Sequence, residues 1–74
     1  MKTVNDYIAH NDENTEVIIE ADINSVYVER YYIGSLGNVP EELRSQEVFE
    51  HAWYVDADLP VLTIARNRDF RRFL

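Results

Sequence analysis

The sequence predicts a small α+β domain: a four-stranded, mainly antiparallel sheet with an N-terminal helix and a short helix between strands two and three. Three observations carry that expectation. An opening segment places apolar residues at helical spacing behind a capping residue. Four later segments alternate in polarity or are rich in β-branched and aromatic residues. One break, from Gly34 to Pro40, divides those four segments into two pairs.

The opening helix begins at Thr3, whose hydroxyl suits an N-cap, with Asp6 three residues on as its box partner. Val4, Tyr7 and Ile8 then fall on one side. His10 to Asn14 reads as a turn. Thr15 to Ala21 reads as a strand in which Val17, Ile19 and Ala21 make an apolar face and Glu16, Ile18 and Glu20 a mainly acidic one. Asp22 to Ser25 turns the chain into Val26 to Gly34, a second strand with large groups on both faces: Val26, Val28 and Tyr32 on one, Tyr27, Tyr31 and Ile33 on the other. Such a strand is expected to be central, or covered by a partner. Val39 to Arg44 suits a short helix, with Pro40 in its first turn and Glu41 and Glu42 at the positive end of its dipole. Glu47 to Val55 and Leu59 to Ala65 are expected to form a hairpin through Asp56-Ala57-Asp58, with Pro60 at a strand start or on an edge.

The expected core is Val4, Ile8, Val17, Ile19, Val28, Tyr32, Leu43, Phe49, Trp53, Val55, Leu62 and Ile64. Two registers compete in the third strand. Either Phe49, Trp53 and Val55 face inward with His51, or Val48, Ala52 and Tyr54 do with Glu50. The first is preferred, because a neutral histidine is easier to bury than a carboxylate. Residues 1–66 are read as the domain and residues 67–74, which show no clear periodicity, as a basic tail.

Charge is the most informative feature of the composition. Residues 1–66 carry thirteen acids against four bases, a net −9, whereas residues 67–74 carry a net +2. The body is therefore expected to repel nucleic acid and attract a basic surface. Hydrophobic residues make up 46% of the 74 residues, too many for an acidic disordered chain. A chain this short buries a thin core, and dimerising is one way to complete it. Cysteine is absent, which excludes a disulfide framework and suits a reducing cytoplasm. No apolar run approaches the roughly 20 residues of a membrane span, so a soluble, cytoplasmic protein is expected.

No catalytic motif stands out, and neither an enzyme nor a cofactor is expected. His10 and His51 are the available imidazoles, and no ligand spacing marks a metal site. Gly34-Ser35-Leu36-Gly37 lacks the lysine and the long helix of a phosphate loop. Asp56-Ala57-Asp58 lacks the glycine and the closing glutamate of a calcium loop. What remains is a surface. Glu16 and Glu20 project from one strand face, on which residues two apart sit about 7 Å from each other, and Glu29, Glu47, Glu50, Asp56 and Asp58 extend that acidic face. Tyr27 and Tyr31, near Tyr32, Trp53 and Tyr54, add aromatic groups of the kind that favour interfaces.

The run Tyr32-Ile33-Gly34-Ser35-Leu36-Gly37-Asn38-Val39-Pro40-Glu41-Glu42-Leu43, with Glu47-Val48 and Leu62-Thr63-Ile64 after it, resembles small accessory proteins of phages and mobile elements from Gram-positive bacteria. The opening Thr3-Val4, Asp6-Tyr7-Ile8, ahead of an Asp/Asn turn and a Glu-Val-x-Ile strand, is similar to their start. The resemblance covers most of residues 3–64 and assigns no functional residue. It implies a non-enzymatic inhibitor, anti-CRISPR-like, whose acidic face occupies a basic nucleic-acid-binding surface of a host defence protein in the host cytoplasm. The alternative is a homo-oligomeric assembly module, with the aromatic strands forming a homodimer.

Overall fold

The computed structural model describes residues 2–22, 28–54 and 59–66. The chain runs α1 (Val4–Ala9), β1 (Glu16–Asp22), β2 (Val28–Ser35), a 3-10 turn over Leu36–Asn38, α2 (Glu41–Arg44), β3 (Val48–Tyr54) and β4 (Leu59–Ile64). This is the α+β arrangement expected. The sheet order is β2-β1-β4-β3, with β1 antiparallel to β2, β4 antiparallel to β3, and β1 parallel to β4.

α1 starts where the sequence places it. The Thr3 hydroxyl accepts from the Asp6 backbone N–H, and the Asp6 carboxylate accepts in return from the Thr3 backbone N–H at 2.9 Å. Thr3 also bridges to Glu47, and the Val48 N–H donates to the Lys2 carbonyl at 2.8 Å. The residues ahead of α1 are thereby tied to the start of β3. α1 and α2 lie over one sheet face, where Val4, Val17, Ile19, Ala21, Tyr31, Tyr32, Leu36, Val39, Leu43, Leu62 and Ile64 form the core. Ile8 packs against that cluster.

The opposite face of the middle strands is buried as well. Ile18 and Val61 pair across β1 and β4 and are both buried. Glu20, paired with Thr63, is only 2% exposed. A strand buried on both faces reads as a continuous apolar run, which is what Val17-Ile18-Ile19 is. The expected one-sided strand with an acidic outer face is thus corrected: β1, not β2, is interior to the sheet.

Two register shifts account for the misplaced core residues. In β2, Arg30 pairs with Glu20 and Tyr32 with Ile19, so Tyr31 is an extra residue inserted between them. The insertion reverses the alternation. Tyr31 and Tyr32 both enter the core, while Val28, expected to share a face with Tyr32, lies 46% exposed. In β3 the pairing passes from Val48–Ile64 to Glu50–Thr63, which leaves Phe49 as the extra residue. Phe49 is 62% exposed instead of buried, and Val48 packs against the core in its place. Beyond the shift, His51 pairs with Leu62 and Trp53 with Pro60. The side chains of His51 and Trp53, and all of Val55, expected to face inward, lie outside the described residues.

Gly34 serves Tyr32. The Tyr32 hydroxyl donates to the Ser35 carbonyl at 2.6 Å, which lays its ring across the glycine, and a Cβ on Gly34 would stand 2.6 Å from that hydroxyl oxygen and 2.9 Å from the ring carbon bearing it. Gly34→Ala must displace a ring packed in the core. It is expected to destabilise the fold by about 1–3 kcal/mol, the usual cost of overpacking. Urea denaturation measures this, and an unchanged midpoint would contradict the placement of the ring.

Candidate functional site

The carboxylates nominated from the sequence do not form one sheet face. Glu16 is exposed at the start of β1 and Glu47 is exposed just before β3. Glu20 is inside, so it is no part of a docking surface. Glu29, with its side chain 15% exposed, is ion-paired to Arg66 through a 3.1 Å contact to Nε. Tyr31 is fully buried and offers nothing to a partner. The side chain of Glu50 and all of Tyr27, Asp56 and Asp58 lie outside the described residues.

Other acids stand exposed at the end of the sheet where β1 begins and β2 finishes, and on the helix α2 that follows. Asp12 and Glu13 sit in the turn between α1 and β1, and Glu16 opens β1. This turn is knitted to the 3-10 segment: the Gly37 N–H donates to the Glu13 carbonyl and the Leu36 N–H to the Thr15 carbonyl, both at 2.8 Å. Gly37 also admits the Glu13 side chain closely, since a Cβ there would lie 3.1 Å from that of Glu13. α2 follows directly and carries Glu41 and Glu42 in its first turn.

Arg44, on the same helix, is the base best placed to neutralise this group. Its guanidinium is instead committed to backbone: Nε donates to the Val39 carbonyl at 2.8 Å and Nη2 to the Gly37 carbonyl at 3.3 Å. Arg66–Glu29 is the salt bridge found among the described residues, so Asp12, Glu13, Glu16, Glu41 and Glu42 stand exposed with no arginine or lysine closed upon them there. Of these five, sequence reasoning nominated Glu16. The signal for Asp12 and Glu13 was the break after Gly34, which lays Leu36 and Gly37 against the turn before β1.

A second feature is a groove of about 510 Å³ lined by Lys2, Thr3, Asp6, Tyr7, His10, Asn11, Val48 and Phe49. Its helical wall is a stripe at i, i+3 and i+4 spacing from Thr3 to Asn11, and its floor is the start of β3. His10 is fixed there by Nδ1–H, which donates to the Asp6 carbonyl at 2.8 Å, and Asn11 by Nδ2, which donates to the Tyr7 carbonyl at the same distance. The hydrogen bond from the Thr3 backbone holds the Asp6 carboxyl below its ordinary value of 3.8, against desolvation and with smaller help from the Thr3 hydroxyl, the nearby His10 and the N-terminus. Burial pushes the Tyr7 hydroxyl above its ordinary value.

No group of three or more histidine, aspartate or glutamate side chains suited to a metal occurs among the described residues. No helix there is long and apolar enough to cross a membrane. No family model, curated protein or solved structure matches the chain.

The capping box makes a pH prediction. A carboxyl depressed in the folded state stabilises the fold above its unfolded value, and that contribution fades as pH falls through the folded one. Asp6→Asn is therefore expected to lower the Tm by a constant amount above pH 5 or so, and by less and less as pH drops below 3.8. Thermal melts across that window check it; a Tm difference that ignores pH would show that the carboxylate charge does not matter.

Proposed function

We propose that this chain is a non-enzymatic binding protein that sets its carboxylate-bearing end against a basic surface of the kind that receives nucleic acid. By occupying that surface it excludes the polyanion, which is the mode of an inhibitor of a nucleic-acid-binding defence protein. The observation that carries this reading is a set of exposed acids, Asp12, Glu13 and Glu16 at the hydrogen-bonded turn before β1 and Glu41 and Glu42 on α2, while Arg44 is engaged by carbonyls. A net −9 over residues 1–66 steers the exposed carboxylates toward a cationic partner. Nothing in this reading needs Glu20 or Tyr31.

Assembly is the second reading. Val28 and Ile33, on the same face of the outer strand β2, are 46% and 41% exposed, which favours self-association along that strand.

Affinity capture from a bacterial lysate at low and at high salt tests the first reading, with the triple variant Glu13→Lys, Glu16→Lys, Glu41→Lys as the comparison. The native chain is expected to recover nucleic-acid-binding proteins at low salt, and the variant about tenfold less, with most of the loss in association rate. Equal recovery by the two proteins would contradict the proposal. Light scattering tests the second: a dimer that Ile33→Lys converts to monomer would favour assembly.

A further inference from the structure

α2 is four residues long, and one turn of helix does not persist on its own propensity. Neither it nor the 3-10 turn before it has a side-chain cap at its start. Leu36, Val39 and Leu43 anchor the inner side of this segment in the core. Toward solvent, the carbonyls of Gly37 and Val39 both accept from the guanidinium of Arg44, from Nη2 at 3.3 Å and from Nε at 2.8 Å. Arg44 is the last residue of α2, so its side chain closes back on residues seven and five positions earlier.

Gly37 is gripped at both ends of its backbone. Its N–H donates to the Glu13 carbonyl at 2.8 Å, while its own carbonyl accepts from Arg44. A Cβ at Gly37 would lie 3.1 Å from the Glu13 Cβ and 3.3 Å from the Glu13 carbonyl oxygen, so the two backbones approach closely. A chain of contacts thus runs from α2 through Arg44 and Gly37 to the turn before β1. A lysine could not close it in the same way. A guanidinium presents several N–H donors in a rigid plane, whereas an ammonium is one point charge on a flexible stem. Charge gives no reason for a base at this position, since beside Glu41 and Glu42 it offsets the negative field.

We propose that Arg44 is a positioning residue, the clasp that holds α2 on the 3-10 segment and, through Gly37, on the turn before β1. The helix that carries Glu41 and Glu42 and the turn that carries Asp12 and Glu13 then keep one relative position. When the clasp opens, two carbonyls lose their donor and the Gly37 backbone is held by the Glu13 carbonyl alone, so the 3-10 turn loosens while the sheet stays closed. The clasp itself stands on these hydrogen bonds; its consequence for partner binding rests on the function proposed above.

Hydrogen exchange followed by nuclear magnetic resonance on the full chain tests the clasp. In the native chain the Arg44 Nε–H is expected to exchange about tenfold more slowly than that of the exposed Arg30. In Arg44→Lys, which keeps the charge, the Gly37 amide is expected to exchange about tenfold faster while the Leu62 amide of β4 is unchanged. An unprotected Arg44 Nε–H, an unchanged Gly37 amide, or equal acceleration at Gly37 and Leu62 would overturn the proposal, the last because Arg44 would then act on the stability of the whole fold. Capture from a bacterial lysate at low salt tests the consequence. Arg44→Gln removes a positive charge, so electrostatics alone predicts stronger recovery of a basic partner, whereas loss of the clasp predicts recovery about threefold weaker. Recovery equal to or above that of the native chain would overturn the positioning role. If the native chain recovers nothing, the function reading fails and the exchange rates alone decide the clasp.

Discussion

The parallel pairing of β1 with β4 is the constraint on which the rest of the structure depends. It puts β1 between two strands and buries it on both faces, with Val17, Ile19 and Ala21 under the helices and Ile18 and Glu20 on the other side. Once β1 is interior, β2 and β3 must be the outer strands, and each adjusts to its inner neighbour by inserting one residue. Those insertions decide which rings are inside. Tyr31 joins Tyr32 in the core, and Phe49 is turned out into a groove.

The element order was legible because each local signal agreed with the fold. Thr3 and Asp6 cap α1, the Gly34–Pro40 break separates the two strand pairs, and Glu41 and Glu42 open α2. Strand order was legible in one place that counting by alternation passed over. Val17-Ile18-Ile19 has no polar position, and Val61-Leu62 repeats the pattern in β4; both mark strands covered on two sides. The bulges were not legible. A count by twos assumes an unbroken ladder, and nothing in Arg30-Tyr31-Tyr32 or Val48-Phe49-Glu50 announces the extra residue. Val28 and Phe49 were therefore assigned inward and Tyr31 outward, each for that one reason.

The candidate site was legible in its chemistry and not in its membership. Composition establishes an excess of carboxylates, but the fold sorts them. Glu20 is withdrawn into the sheet, Glu29 is paired with Arg66, and Glu16 remains outside with Asp12, Glu13, Glu41 and Glu42. Net charge therefore overstates what a partner meets on the sheet and understates what it meets at the turn end. The same sorting applies to the bases, since Arg44 is held by carbonyls of the segment that supports the acids.

Residue-resolved amide hydrogen exchange tests the central position of β1 most directly. With hydrogen-bonded neighbours on both edges and cover on both faces, Val17 to Ala21 should exchange only on global unfolding, more slowly than the amides of β2 and β3. Exchange of β1 at the rate of those outer strands would contradict the strand order, and with it the burial of Glu20 and Tyr31 that separates the buried carboxylates from the available ones.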